Sequence, residues 1–179
     1  NYDALMRAID RLNGADGMNI AARRITVSTC GLVPGIERLA SAGLQVNLSV
    51  SLHAASDELR SGLMPVNRRY GLQRLIAACE EYRRATGRMV TLEYLLARRI
   101  NDRPEDARAL AEIAARLRAK VNLIACNPVA GGRFAPSDER RVEAFRRILE
   151  ERRVNAVVRR SHGRSIGAAC GQLAGAPPS

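Results

Sequence analysis

Short β-branched or apolar stretches alternate with stretches of helical period along the chain, and this alternation limits the fold more than any other feature. Residues 25–30 (ITVSTC), 46–53 (VNLSVSLH), 89–96 (MVTLEYLL), 120–127 (KVNLIACN) and 155–159 read as strands. Helices are predicted over 2–12, 35–42, 72–85, 104–119 and 137–152. Pro34 stands near the first turn of the second of these, and Thr86-Gly87 stops the third. Ser56-Asp57-Glu58 suits a further helix start, Asn101 or Asp102 is the expected cap before Pro104, and Ser137-Asp138-Glu139 approaches a capping box. Residues 128–136 read as a glycine-containing loop and 161–179 as a Gly- and Ala-rich tail.

Strands and helices at this spacing imply parallel strands joined by right-handed crossovers, hence an α/β fold. A complete barrel needs more strands than these. The fold is then a small open sheet, or a partial (β/α) barrel whose first strands are removed. The helical start at Asn1 favours the second, with the 179 residues as one domain. Buried parallel strands should be almost wholly apolar. Here Ser28, Thr29, Ser51, His53, Glu93, Asn122 and Asn127 fall at or near the strand ends. Ligand sites of α/β folds lie at the carboxyl ends of the strands. Ser28, Ser51, His53 and Asn127 are therefore placed to meet on one rim.

Apolar content of 46% and charged content of 26% fit a globular chain with a real core. The longest apolar runs, such as 121–126, fall far short of the roughly 20 residues a membrane helix needs. The net charge of +11 comes almost wholly from arginine, since Lys120 is the one lysine. Arginine favours bidentate phosphate contacts, so the surplus points to a polyanionic partner, RNA or DNA before a membrane surface. A GC-rich genome accounts for the choice of Arg over Lys better than for the surplus. Cysteines 30, 79, 126 and 170 are widely spaced and form no disulfide or zinc pattern, which suits a reducing cytoplasm.

His53 at a strand end can be a base, a ligand donor or a satisfied structural group. Ser28 has the same two kinds of reading, and Asn127 before Pro128 suits either a turn or a nucleoside contact. Cys170 lies among small residues downstream of Arg159, Arg160, His162 and Arg164. Nearby positive charge raises the thiolate fraction, although a cysteine in such a stretch is also commonly inert. There is no Walker loop, dinucleotide fingerprint, HExxH motif or Ser-His-Asp order. The residues alone define an α/β enzyme that binds RNA or another anion.

Taken together, several segments resemble the RlmN/Cfr family of radical-SAM RNA adenine methyltransferases. They are RITVSTCGLVP from Arg24, SLHA from Ser51 with Asp57, Glu58, Leu59 and Arg60, and MPVNRRY from Met64. Glu93-Tyr94, VNLI from Val121 with Asn127-Pro128, and AACGQLAG from Ala168 complete the set. The resemblance covers essentially the whole chain. It implies the C-terminal portion of a partial (β/α) barrel, S-adenosylmethionine and a [4Fe-4S] cluster. It implies methylation of an unactivated adenine carbon in 23S rRNA and in tRNA, with a methyl group relayed through a cysteine. Cys170 would carry that methyl. Ser28, Ser51, Leu52, His53 and Asn127 would contact S-adenosylmethionine, while Cys30, Cys79 and Cys126 match no catalytic position. The cluster cysteines are expected upstream of Asn1, so these residues alone should hold no metal and should not turn over. A cytoplasmic monomer served by a reducing electron donor is expected. The favoured product is C2-methyladenosine. A Cfr-type C8 enzyme and a non-catalytic RNA-binding paralogue share the same motifs. Ser165 stands where the family usually carries an acidic residue.

Overall fold

A computed structural model of the chain describes residues 1–126 and 134–159. Strands β1 (Thr26–Thr29), β2 (Asn47–Ser51), β3 (Val90–Leu96), β4 (Lys120–Ala125) and β5 (Ala156–Arg159) form one sheet in that order, every neighbouring pair parallel. Helices α1 (Tyr2–Asn13), α2 (Val33–Ala40), α3 (Asp57–Leu63), α4 (Leu72–Thr86), α5 (Pro104–Leu117) and α6 (Glu139–Glu151) occupy the rest, with short 3-10 turns at Ala22–Arg24 and Pro65–Arg68. The strand order never reverses. That is the order of a (β/α)-barrel wall, whereas a doubly wound sheet reverses at a switch point. Crossovers of one hand then carry the helices to one side of the sheet.

The burial pattern follows from this one-sided arrangement. Val50, Leu92 and Val121 are register partners and are fully buried. They join Ile36 and Leu39 of α2, Leu75 and Tyr82 of α4, Leu110 and Leu117 of α5, and Phe145 of α6 in one core. One residue further on, Ser51, Glu93 and Asn122 form the adjacent row, each half-buried. Strand β3 alternates buried and half-buried residues from Val90 to Leu96. The sequence places the polar residues at the strand ends of a sheet buried on both faces. In the structure Ser28, Ser51, Glu93 and Asn122 fall on one face, because side chains alternate and the core takes every second one, while Thr29 lies level with Val50 on the core side.

Several boundaries differ from those expected, each for a local reason. Strand β2 stops at Ser51 because His53 has φ 59, a left-handed conformation that breaks extension. Arg103 holds the N-cap position of α5, not Asn101 or Asp102, and the Asp106 carboxylate of the first turn accepts from its amide at 3.1 Å and its Nε at 3.3 Å. The side chains of Asn101 and Asp102 are spent inside the loop that follows β3. Asp138 caps α6 by accepting from the Arg141 amide, while Ser137 donates to Asp102 at 2.8 Å. Ser56 caps α3 and Gly87, at φ 68, ends α4, both as expected.

Candidate functional site

The site is built around the carboxyl end of β2. Beyond Ser51 the chain leaves the regular ladder. The amides of Leu52 and His53 both donate to the Glu93 carbonyl, at 3.0 and 3.4 Å. The next ladder donor on β3, the Leu95 amide, finds the imidazole Nδ1 of His53 at 3.1 Å. A side chain thus replaces a backbone acceptor. Burial lowers the His53 pKa below its ordinary 6.5, and the nearby Arg60 charge acts the same way. The imidazole is therefore neutral at pH 7. With Nδ1 accepting, its proton sits on Nε2, so the ring offers a ligand a donor.

Arg60, on α3, is wholly buried. Its Nε donates to the Leu52 carbonyl at 3.0 Å, and Nη1 donates to Asn67 Oδ1 at 2.8 Å. Nη2 donates to the carbonyls of Cys30 at 2.8 Å and Ser51 at 3.1 Å. A buried charge is costly unless its donors are met, and here carbonyl dipoles meet them without a direct carboxylate partner. Asp57 contributes one step away, accepting from Asn67 Nδ2 at 2.8 Å and from the Leu72 amide at 2.7 Å. The close approach needs a glycine after Cys30. Gly31 has φ +106, and a Cβ there would stand 3.0 Å from Arg60 Nη2.

Asn101 closes the segment from the other side. It is 1% exposed. Its Nδ2 donates to the His53 carbonyl at 2.7 Å and the Leu95 carbonyl at 2.6 Å, while Oδ1 accepts from the Ala97 amide at 2.8 Å. The Tyr94 hydroxyl donates to the Asn101 carbonyl at 3.1 Å. Every carbonyl from Ser51 to His53 is thus taken by a buried side chain.

Ser28 is exposed and lies opposite Ser49 in register. Ser49 and Asn122 both donate to Glu93 Oε1 at 2.9 Å. Glu93 Oε2 is buried and has no hydrogen-bond partner among the described residues. Leu52 is 1% exposed and contributes packing, since both its backbone groups are bonded within the protein. Asn127 and Cys170 lie outside the described residues. Burial pushes the Cys79 thiol up to about 12 and raises that of Cys126, so both behave as core groups. Cys30 is exposed beside the Arg60 anchor. A cleft of about 780 Å³ lies apart from these residues, between Ser56, Leu59 and Leu63 on one side and Ile100, Arg103 and Phe134 on the other. Sequence reasoning missed Arg60 and Asn101 as builders of the site. The sequence marks Arg60 only as part of a segment that carries the family resemblance, with no role of its own, and Asn101 as a helix cap.

The fold and the donor set define a sheet that presents polar side chains beside a rigid strand end, as cofactor-binding barrels do. The model of the Radical SAM superfamily matches residues 1–113, and the chain belongs to that superfamily. Within it the chain is 49% identical over 173 residues to the probable dual-specificity RNA methyltransferase RlmN of Moorella thermoacetica, covering 97% of this chain and 49% of the relative. It is equally identical to the dual-specificity RNA methyltransferase RlmN of Syntrophobacter fumaroxidans, covering 97% and 50%. These relatives bear out the resemblance carried by the motifs. The crystal structure of a radical SAM methyltransferase from Sphaerobacter thermophilus superposes with a TM-score of 0.92 at 50% identity, covering 96% of this chain and 50% of the other. A domain of a pyruvate-formate lyase-activating enzyme from Bacteroides vulgatus shares the fold alone, with a TM-score of 0.67 at 13% identity. The chain spans about half the length of the curated relatives it matches. Among the described residues no helix is long and apolar enough to cross a membrane.

Proposed function

We propose that this chain is the S-adenosylmethionine-holding part of an RNA methyltransferase that methylates C2 of an adenosine in 23S rRNA and in tRNA. The observation that carries the proposal is the set of site groups gathered around β2, in a chain about half identical to RlmN enzymes. Ser28 and Ser51 supply hydroxyls, His53 supplies an Nε2 donor, and Glu93 Oε2 supplies an acceptor with no partner among the described residues. This mixed set fits a ligand with both amine or hydroxyl donors and carboxylate or ring-nitrogen acceptors, as S-adenosylmethionine has. When bound, that cofactor supplies the methyl group and the one-electron chemistry an unactivated adenine carbon requires. The protein's task is to bind and orient it. Ser51 and His53 do so from a pinned backbone, Asn127 joins them, and Cys170 accepts the methyl group and hands it on.

The described residues do not fit a [4Fe-4S] cluster, because no three His, Cys, Asp or Glu side chains among them could hold a metal. The cluster ligands in this reading are cysteines upstream of Asn1. The whole protein acts in the cytoplasm as a monomer with a reducing electron donor. The arginine surplus would serve phosphate contacts to RNA. Two measurements test the reading. Cys170→Ala in the full-length protein is expected to abolish methylated adenosine in RNA from cells that depend on it, and retained product removes the cysteine from the mechanism. Mass spectrometry of nucleosides from the unaltered enzyme's product is expected to give 2-methyladenosine. Detection of 8-methyladenosine instead reassigns the enzyme to the Cfr type.

A further inference from the structure

We infer that Arg60, aided by Asn101, is a positioning residue that sets the geometry of the Ser51–His53 segment for S-adenosylmethionine. This rests on the assignment of that segment to cofactor binding. The argument begins with what the segment has left to offer. The carbonyls of Ser51 and Leu52 accept from Arg60, and that of His53 accepts from Asn101. The amides of Leu52 and His53 are taken by the Glu93 carbonyl. With the other groups bonded among the described residues, the segment addresses a ligand through the Ser51 hydroxyl and the His53 Nε2–H.

The direction of those two groups depends on a backbone that is not a regular strand. His53 is held at φ 59, a conformation unfavourable for a residue with a Cβ. Such a conformation persists only where its surroundings over-determine it, and Arg60 and Asn101 are those surroundings. Arg60 adds a second constraint. Through the Cys30 carbonyl it ties the end of β1 to the end of β2, one residue beyond the last ladder pair of Thr29 with Val50. Lysine cannot replace it, because one ammonium lacks the planar fork that reaches four acceptors on three segments. A buried arginine that served stability alone could stand anywhere in the core. This one spends three of its four hydrogen bonds on carbonyls beside the proposed ligand groups.

The test uses the full-length protein with its natural cofactors and measures S-adenosylmethionine binding by equilibrium dialysis, together with the melting temperature. Arg60→Lys is expected to raise the dissociation constant by about tenfold or more, since a misplacement near 1 Å has effects of that order. Tyr82→Phe is the control. The Tyr82 hydroxyl donates to the Val46 carbonyl at 2.6 Å, just ahead of the amino end of β2 and equally buried. Its loss is expected to lower the melting temperature and leave affinity within about twofold. Asn101→Ser, which shortens the reach to the His53 carbonyl, is expected to weaken binding in the same sense as Arg60→Lys, and it decides the matter if Arg60→Lys does not fold. Wild-type affinity in these variants overturns the proposal. So does an affinity loss in Tyr82→Phe that matches theirs at an equal drop in melting temperature, because the role is then structural. If the unaltered protein has no affinity for S-adenosylmethionine, the functional reading itself falls and takes this proposal with it. That failure is visible without any variant.

Discussion

Val50, Leu92 and Val121 sit side by side on the core face of the sheet, and one residue later Ser51, Glu93 and Asn122 sit side by side on the other. The two rows share strands and register, yet they are specified differently. The apolar row is defined by volume. Any side chains of the right size and shape bury the same area, and the favourable term is proportional to that area. The polar row is defined by partners. Ser49 and Asn122 are oriented by Glu93 Oε1, and Ser51 and His53 are aimed by a backbone whose acceptors are all occupied. The first row holds the sheet together. The second holds groups in a direction, which is what a ligand site requires.

Removing volume from the core row should have the largest effect on stability. Leu92→Ala is expected to destabilise by about 2–5 kcal/mol in chemical denaturation, through lost transfer energy and a residual cavity. Its folded fraction should bind S-adenosylmethionine normally. Impaired binding there would mean that the two faces are not independent. Asn101→Ala comes next. It deletes three buried hydrogen bonds and leaves two carbonyls and one amide to find other partners, so a loss of about 1–3 kcal/mol is expected. Unlike Leu92→Ala, this variant should also weaken the ligand.

A pH titration probes the polar side through His53, which follows Ser51 beyond the end of β2. Because the folded state lowers the His53 pKa, the unfolded chain takes up a proton first as pH falls through 6.5. The His53 contribution is therefore complete above that value. It is lost progressively from there down to the lowered folded pKa. Protonation also removes the acceptor for the Leu95 amide. Melting temperatures at pH 7.5 and 5.5 should differ more in the unaltered protein than in His53→Asn, whose amide does not titrate. Equal differences would place the titrating group elsewhere. The smallest expected effect is that of Glu93→Gln. The carbonyl oxygen of the new amide can keep both donors, and stability should change by less than about 1 kcal/mol. A larger loss would show that the polar row carries stability after all.

The hydrophobic period made the strands and helices legible, and Ser28, Ser51 and His53 could be marked from their positions late in two β-like stretches and in two segments that carry the family resemblance. Even so, a strand end was misjudged where a side chain substitutes for the backbone, at His53, and a helix cap was misjudged where the candidate is diverted into a buried network, at Asn101. Those events depend on β3 and on the loop after it, more than 40 residues from His53.

Arg60 marks the boundary between the two kinds of knowledge. Alternation of chain segments, binary patterning and the Ser-Leu-His run are local properties, written in neighbouring side chains, and they were enough to establish an α/β sheet and to point at the end proposed to bind the cofactor. Three of the buried arginine's four partners are the backbone carbonyls of Cys30, Ser51 and Leu52. Every residue type carries a carbonyl, so such a bond leaves no trace in the order of amino acids. It exists only once three distant segments have been brought within 3 Å or so of one guanidinium, and packing is what brings them there.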